Sequence, residues 1–381
     1  MKLAKWFFWV GLLFSALFVF ACKEDKPPEP AAPQKPADSG KPAATVDAKD
    51  KWKGKTLNLF VWEGYADPKF TKGFEEKYGV TVKGTYFGTS DELVAKLKSS
   101  KGVYDVVSPS TDVATTLIEG NLIAPVDVSK IASYKDLAPV LRDMKDVQKG
   151  GKTYGVPFTW GPDYLIYDED VIKEAPKSWN VFFDPKYKGK VSLWDDVSNI
   201  YLMGQVLGFD KTDPGALYNM TDEQLAQVKK KLIELKPQVR KYWATGGELN
   251  DLFKNKEVVL AVGWPLTPAA LNKEKRNIKS VIPQEGATGW IDRLMITADS
   301  KNKELAAGYL DYATQPKAQA LVAEVTNYNI ANPKAAEHMS ADLKAMVMSN
   351  VDEMFKRLNF WQHVKERKKY NEVWNEVKSA K

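Results

Sequence analysis

Aromatic and acidic side chains recur together at five points of this chain: Trp62-Glu63-Gly64-Tyr65, Pro109-Ser110-Thr111-Asp112, Asp195-Asp196, Trp264, and Trp290-Ile291-Asp292. Indole and phenol faces carry negative quadrupole potential and attract ammonium groups, while carboxylate oxygens accept their N–H bonds. The combination suits a flexible organic cation. Each residue also has a plainer explanation, since a tryptophan is ordinarily core and an aspartate after a strand ordinarily caps a helix. The coincidence of positions is what points to a site.

Those positions acquire meaning from the elements that must carry them. Leu57, Leu59 and Val61 alternate through a strand at 56–62; Phe70, Phe74 and Tyr78 then keep helical spacing, and 79–87 reads as a second strand. Ser90 can cap a helix carrying Leu93, Val94 and Leu97, residues 103–107 form a buried-strand pattern, and 111–119 resumes helical spacing. A second α/β stretch follows: a strand at 189–194, a capping box of Thr221 and Gln224 opening a helix to Leu235, and strands at 257–262 and 278–282. A strand near 294–297 and a helix from about Lys303 to Ala313 come last. The order predicts mainly parallel α/β layers, in which ligands bind outside the carboxyl ends of strands. All five aromatic/acidic motifs fall just past an expected strand end.

A chain of 381 residues, 44% hydrophobic and 27% charged, is globular and long enough for two lobes with a cleft. His338 and His363 are its only histidines and Cys22 its only cysteine, so disulfides, zinc knuckles and histidine-dependent nucleophiles lack their parts. The net charge of +6, or +4 without Lys2 and Lys5, is too diffuse for nucleic acid, and the basic runs at 229–231 and 367–369 read as solvated helix faces. Gly151-Lys152-Thr153 resembles the end of a P-loop, but Asp146 stands where the first glycine is required, so no ATPase is encoded. No cofactor or metal is expected. A glycosidase pairing Asp195 or Asp196 with another acid survives as the enzymatic alternative, because sugars also stack on tryptophan.

The ends of the chain are not globular. Lys2 and Lys5 precede an uncharged run at 6–21 that is short for a membrane span and right for a signal peptide. Cys22 follows Val19-Phe20-Ala21 as in a lipobox, which makes it the expected lipidation site, although Phe20 departs from the small or branched residue usual there. Six prolines between Pro27 and Pro42 make 22–52 an extended tether holding a domain off the membrane. The last forty residues, with Met346, Met354, Phe355, Trp361, Tyr370 and Trp374 among Lys and Glu, read as amphipathic helices docked on a lobe.

From about Thr56 onward the chain resembles the spermidine/putrescine-binding proteins of polyamine ABC importers. The resemblance rests on Phe60-Val61-Trp62-Glu63-Gly64-Tyr65, Tyr104-Asp105-Val106-Val107-Ser108-Pro109-Ser110-Thr111 and Val156-Pro157-Phe158-Thr159-Trp160-Gly161. Tyr187-Lys188-Gly189-Lys190-Val191 before Asp195-Asp196, Glu285-Gly286 before Trp290-Ile291-Asp292, Asn327-Tyr328 and Trp361-Gln362 continue it. It implies an α/β, two-lobed type II periplasmic binding protein with hinge crossovers and an interlobe ligand cleft. The crossovers would fall near 158–160, near Trp290 and after Asn332. One lobe would comprise 53–158 and 291–332, the other 159–290 and 333–381.

The resemblance also assigns residues. Trp62 and Tyr65 would wall one side with Glu63 near the entrance and Ser110 bonding an amine; Asp196, Trp264, Trp290 and Asp292 would form the centre; Tyr328 and Gln362 would close it. Asp112 stands where the family usually has a tyrosine and Asn199 where it usually has a glutamate, so one carboxylate is moved and the polyamine type stays open. The implied partners are the polyamine and the ABC permease subunits, with the membrane met only through the lipid anchor, at the periplasm or cell surface, by a monomer. Another small cation, an amino acid or a sugar on the same fold is the alternative ligand.

Overall fold

The computed structural model describes residues 51–348 and 351–380. The expected leader, the expected lipidation site Cys22 and the proline-rich stretch up to residue 50 lie outside the described residues. Trp52, at the end of the expected tether, already packs edge-on against Tyr78 with ring centroids 4.9 Å apart.

Local chemistry sets the first helix. Asp67 accepts the Lys69 N–H at its start, Pro68 occupies the first turn, and Gly79 at φ 63° ends it by donating its N–H to Glu75 O. Phe70 and Phe74 bury one face of that helix, Pro68–Tyr78, against the sheet. In the next helix, Ser90–Ser99, the cap is Thr89 rather than Ser90: Thr89 Oγ1 accepts the Glu92 N–H, and the Ser90 hydroxyl donates instead to Asp112. The capping box of Thr221 and Gln224 forms as expected and opens Asp222–Leu235.

Two sheets result. The first runs in the order Asn329–Ile330, Val156–Pro162, Ala287–Thr297, Val106–Val107, Thr56–Val61, Thr81–Tyr86, with Ile123–Ala124 and Leu358–Phe360 also paired to Ala287–Thr297. The second runs Val239–Trp243, Val191–Trp194, Leu260–Gly263, Tyr164–Asp168, Ile278–Val281. Each sheet is parallel on one side only. Ala287–Thr297 is antiparallel to both its main neighbours, and Tyr164–Asp168 to both of its own. The expectation of mainly parallel layers therefore fails at the strands through which the chain changes sheet. One strand carries the chain out and its neighbour brings it back, so the two must oppose.

The chain leaves the first sheet after Pro162, enters the second at Tyr164, and returns between Val281 and Ala287. The third passage follows Leu358–Phe360, which still pairs with the first sheet, so it falls later than the expected point after Asn332. The closing helix Arg367–Ser379 then docks on the second lobe: Tyr370, Trp374 and Val377 are buried, Lys229 pairs with Glu376 and the Tyr370 hydroxyl donates to Leu217 O.

Candidate binding site

A narrow slot is lined from both lobes, and as the lobes stand its free space is only about 20 Å³, close to the room one water needs. Much of its wall comes from strand ends: Trp62 and Glu63 follow Thr56–Val61, Ser110 lies beyond Val106–Val107, Trp194 ends Val191–Trp194, and Trp264 follows Leu260–Gly263. Trp290, Asp292, Tyr328 and Trp361 complete it. Trp290 and Asp292, expected past a strand end, instead sit in the middle of the eleven-residue strand Ala287–Thr297. Being two apart, they present to one face. Arg293 is turned the other way, where it is bound by Asp146 at 2.7 and 2.9 Å. The ladder skips Phe158 at this point, with Asp292 opposite Thr159 and Arg293 opposite Pro157.

Two glycines permit the wall. Gly64 adopts φ 90° in the turn joining Trp62 to Tyr65, and a Cβ there would lie 2.9 Å from the Thr326 methyl. Gly161 lies under the Trp290 indole, where a Cβ would come within 2.8 Å of the ring. Tyr328 follows Asn327, whose left-handed backbone at φ 55° ends Pro316–Thr326, and its ring meets Trp290 edge-on at 4.6 Å. Across the cavity Trp194 and Trp264 pack at 4.8 Å, with Trp62 5.8 Å from the first and 6.2 Å from the second. The rings make a narrow slot suited to a thin aliphatic chain.

The acids behind those rings are buried. Asp292, 3% exposed, accepts the Ser110 hydroxyl and the Tyr65 hydroxyl, each at 2.5 Å. Tyr65 is itself buried, its hydroxyl also touching Thr159, so it anchors Asp292 instead of forming the wall expected of it. Asp196 accepts the Ser198 N–H at 2.8 Å through one oxygen, and its other oxygen is buried without a partner. Asp163, at the first passage between sheets, accepts the Thr288 hydroxyl at 2.7 Å and donates its N–H to Thr288 O, which ties the outgoing and returning segments together.

Desolvation pushes each of these three carboxyls up to about 7, the donated hydrogen bonds only partly offsetting it; for Asp196 the Arg367 guanidinium is the largest opposing influence. Among the described residues no Lys, Arg or His is paired with any of the three. An ionised carboxylate out of water costs several kcal/mol unless a cation joins it. Either a proton or a bound cation relieves that cost.

Other expected residues lie elsewhere. Glu63 lines the cavity and reaches the opposite lobe, accepting the Gly246 N–H at 3.1 Å. Asp112 is withdrawn from the cavity into an ion pair with Arg367 at 2.7 Å. Asn199 spends its amide on Trp194 O and Asp196 O, holding the strand end from behind. Gln362 is exposed and absent from the lining, which takes its neighbour Trp361. Asp195 turns away to Trp374 Nε1 and Lys378, so it forms no acid pair with Asp196. Trp194, Trp361 and Asp163 were not singled out from the sequence as site residues. Trp194 immediately precedes the two aspartates and Trp361 stands in the Trp361-Gln362 motif, while Asp163 had only its nearness to the expected crossover.

This fold and cavity define a class. Residues 69–347 match the family of bacterial extracellular solute-binding proteins, and the chain belongs to that family. Among its relatives, the putrescine-binding periplasmic protein PotF of Escherichia coli (strain K12) is 27% identical over 307 residues, 76% of this chain and 81% of that one. The putrescine-binding periplasmic protein SpuD of Pseudomonas aeruginosa (strain UCBPP-PA14) is 25% identical over 366 residues, covering 90% and 96%. A solved structure, a putative spermidine/putrescine ABC transporter from Listeria monocytogenes, superposes with a TM-score of 0.76 at 25% identity, covering 85% of this chain and 99% of that one.

Proposed function

We propose that this protein captures a polyamine in its interlobe cavity and delivers it to an ABC permease. The observation that carries this reading is an aromatic slot with the buried Asp292 carboxylate in its wall and two further buried carboxylates, Asp163 and Asp196, outside that lining, none of the three paired with a Lys, Arg or His among the described residues. Methylenes lie against the indole faces of Trp62, Trp264 and Trp290, and ammonium groups replace their water with Asp196 and Asp292. Micromolar affinity needs about 8 kcal/mol, or roughly 0.8 kcal/mol per heavy atom for a ligand of about ten, inside the ceiling for small ligands. The protein acts by binding and release: Asp195 turns to Trp374 and Lys378 while Asp196 accepts the Ser198 N–H, so these neighbouring aspartates do not form the acid pair of a glycosidase.

Residues 53–162, 287–348 and 351–360 form one lobe of this binder, and 163–286 with 361–380 the other, in keeping with sheet membership. The charged start, apolar core and Cys22 support export and lipid anchoring, with 22–50 as the tether and the domain at the periplasm or cell surface. A second reading, an amine that also carries a hydrogen-bond acceptor, is favoured by the buried indole N–H groups of Trp194 and Trp290, which have no partner. A thermal-shift screen of putrescine, cadaverine, spermidine, spermine, choline, γ-aminobutyrate and maltose separates the two. Stabilisation by the pure amines supports the first reading; stabilisation by γ-aminobutyrate alone replaces it with the second; stabilisation by maltose alone overturns both.

A further inference from the structure

Behind the Ser110 and Trp361 side of the cavity sits a charge cluster none of whose members, Asp91, Asp112, Tyr201 and Arg367, belongs to the lining. Arg367 opens the closing helix, which is anchored to the second lobe by Lys229–Glu376, Lys369–Asp222 and the Trp374 bond to Asp195. Its guanidinium points into the first lobe. Nε and Nη2 bind Asp91 at 2.8 and 3.1 Å, and Nη1 binds Asp112 at 2.7 Å and the Tyr201 hydroxyl at 3.2 Å. Asp91 and Asp112 belong to separate first-lobe helices, Ser90–Ser99 and Thr111–Glu119, and the Ser90 hydroxyl fixes the second oxygen of Asp112. Tyr201 lies on Ser198–Val206, the helix that follows strand Val191–Trp194 of the second sheet.

We propose that Arg367 is a positioning residue for ligand binding: a latch that joins the lobes through Asp91 and Asp112 and slows ligand release without contacting the ligand. Three features carry this. The guanidinium is 11% exposed and Asp112 1%, so the pair is shielded from salt and water. Four of the five guanidinium N–H groups are engaged, three of them by carboxylates of the two first-lobe helices, so those bonds form only when both helices stand against the second lobe, the bidentate fork to Asp91 being the directional part. The latch also adjoins the cavity wall, because Thr111, next to Asp112, donates its hydroxyl to Trp361 O at 2.5 Å. Separating the lobes would leave two first-lobe carboxylates and an arginine to be rehydrated, so the latch holds the joined arrangement and acts on the off-rate. Asp112 is thereby spent on the protein, and the ligand is left to Asp196 and Asp292.

The inference rests on the cation-site reading for its kinetic part and is independent of it for its structural part. Three variants are compared: Asp91→Asn, Arg367→Lys and the charge-free combination Asp91→Asn, Asp112→Asn, Arg367→Gln, which leaves no unpaired buried charge and so keeps the fold. Stopped-flow tryptophan fluorescence with spermidine should show dissociation faster by on the order of tenfold in the combination, association within about twofold, and an intermediate effect in Arg367→Lys. Small-angle scattering without ligand should show a larger radius of gyration for the combination than for wild type. Equal radii, or equal dissociation rates, overturn the latch. Failure of wild type to bind any amine overturns the cation-site reading while the scattering comparison still decides the latch.

Discussion

Replacing Asp292 by asparagine removes the most firmly placed acid of the cavity while keeping its shape. The carboxylate is 3% exposed and held by two hydroxyls at 2.5 Å, so a bound ammonium meets a fixed, desolvated partner. Removing one member of such a buried charge pair costs about 3 to 5 kcal/mol, which corresponds to a loss of roughly 150- to 4,000-fold in affinity. The loss must depend on pH. Burial has pushed the Asp292 carboxyl up to about 7, so in the empty site it is mostly ionised at pH 8 and mostly protonated at pH 6. A polyamine stays charged throughout and needs the ionised form, so below 7 this carboxyl alone weakens wild-type binding by about tenfold per pH unit. Asparagine has no such dependence. Isothermal titration with spermidine at pH 6, 7 and 8 should show the wild-type/variant ratio of affinities narrowing by roughly tenfold from pH 8 to pH 6. A ratio below about threefold at pH 8, or one that does not change with pH, would refute the role given to Asp292.

Further outcomes follow from the same geometry. Because the three acids have folded values above the ordinary carboxylate range, the ligand-free protein should be most stable well below pH 4 on their account and lose that stability as pH rises through about 7; calorimetric scans at pH 5 and 8 check the sign, and saturating spermidine should raise the melting temperature more at pH 8. Gly161→Ala places a methyl 2.8 Å from the Trp290 ring, so it should cost about 1 to 3 kcal/mol of stability and weaken binding, measured by urea unfolding and titration. Thr221→Ala deletes one half of the capping box far from the cavity; a loss of about 1 kcal/mol with unchanged spermidine affinity is expected.

Local periodicity revealed the strand ends and hence Trp62, Ser110, Asp196 and Trp264, because those residues lie beside patterns that a single stretch of sequence displays. Trp290 and Asp292 were found but set past a strand's end, since Gly289, Asp292 and Arg293 interrupt the apolar run of what is one continuous strand. The charge run at 367–369 read as a solvated face, and for Lys368 that is right. Arg367 goes inside because its partners, Asp91 and Asp112, lie 276 and 255 residues away, a distance no periodicity senses. The same pairing explains why Asp112, legible as an acid beside the site, is not in the lining. Asp163 escaped for a similar reason: its meaning comes from Thr288, across the passage between the two sheets.

An aliphatic polycation should lie in the slot with its nitrogens on the buried acids. A crystal structure grown with spermidine tests it most directly. Methylenes should lie between the Trp62/Trp264 and Trp290/Tyr328 rings, with nitrogens at about 2.7–3.2 Å from Asp196 and Asp292. A ligand held outside this cavity, or one inside it whose nitrogens meet neither carboxylate, would contradict it.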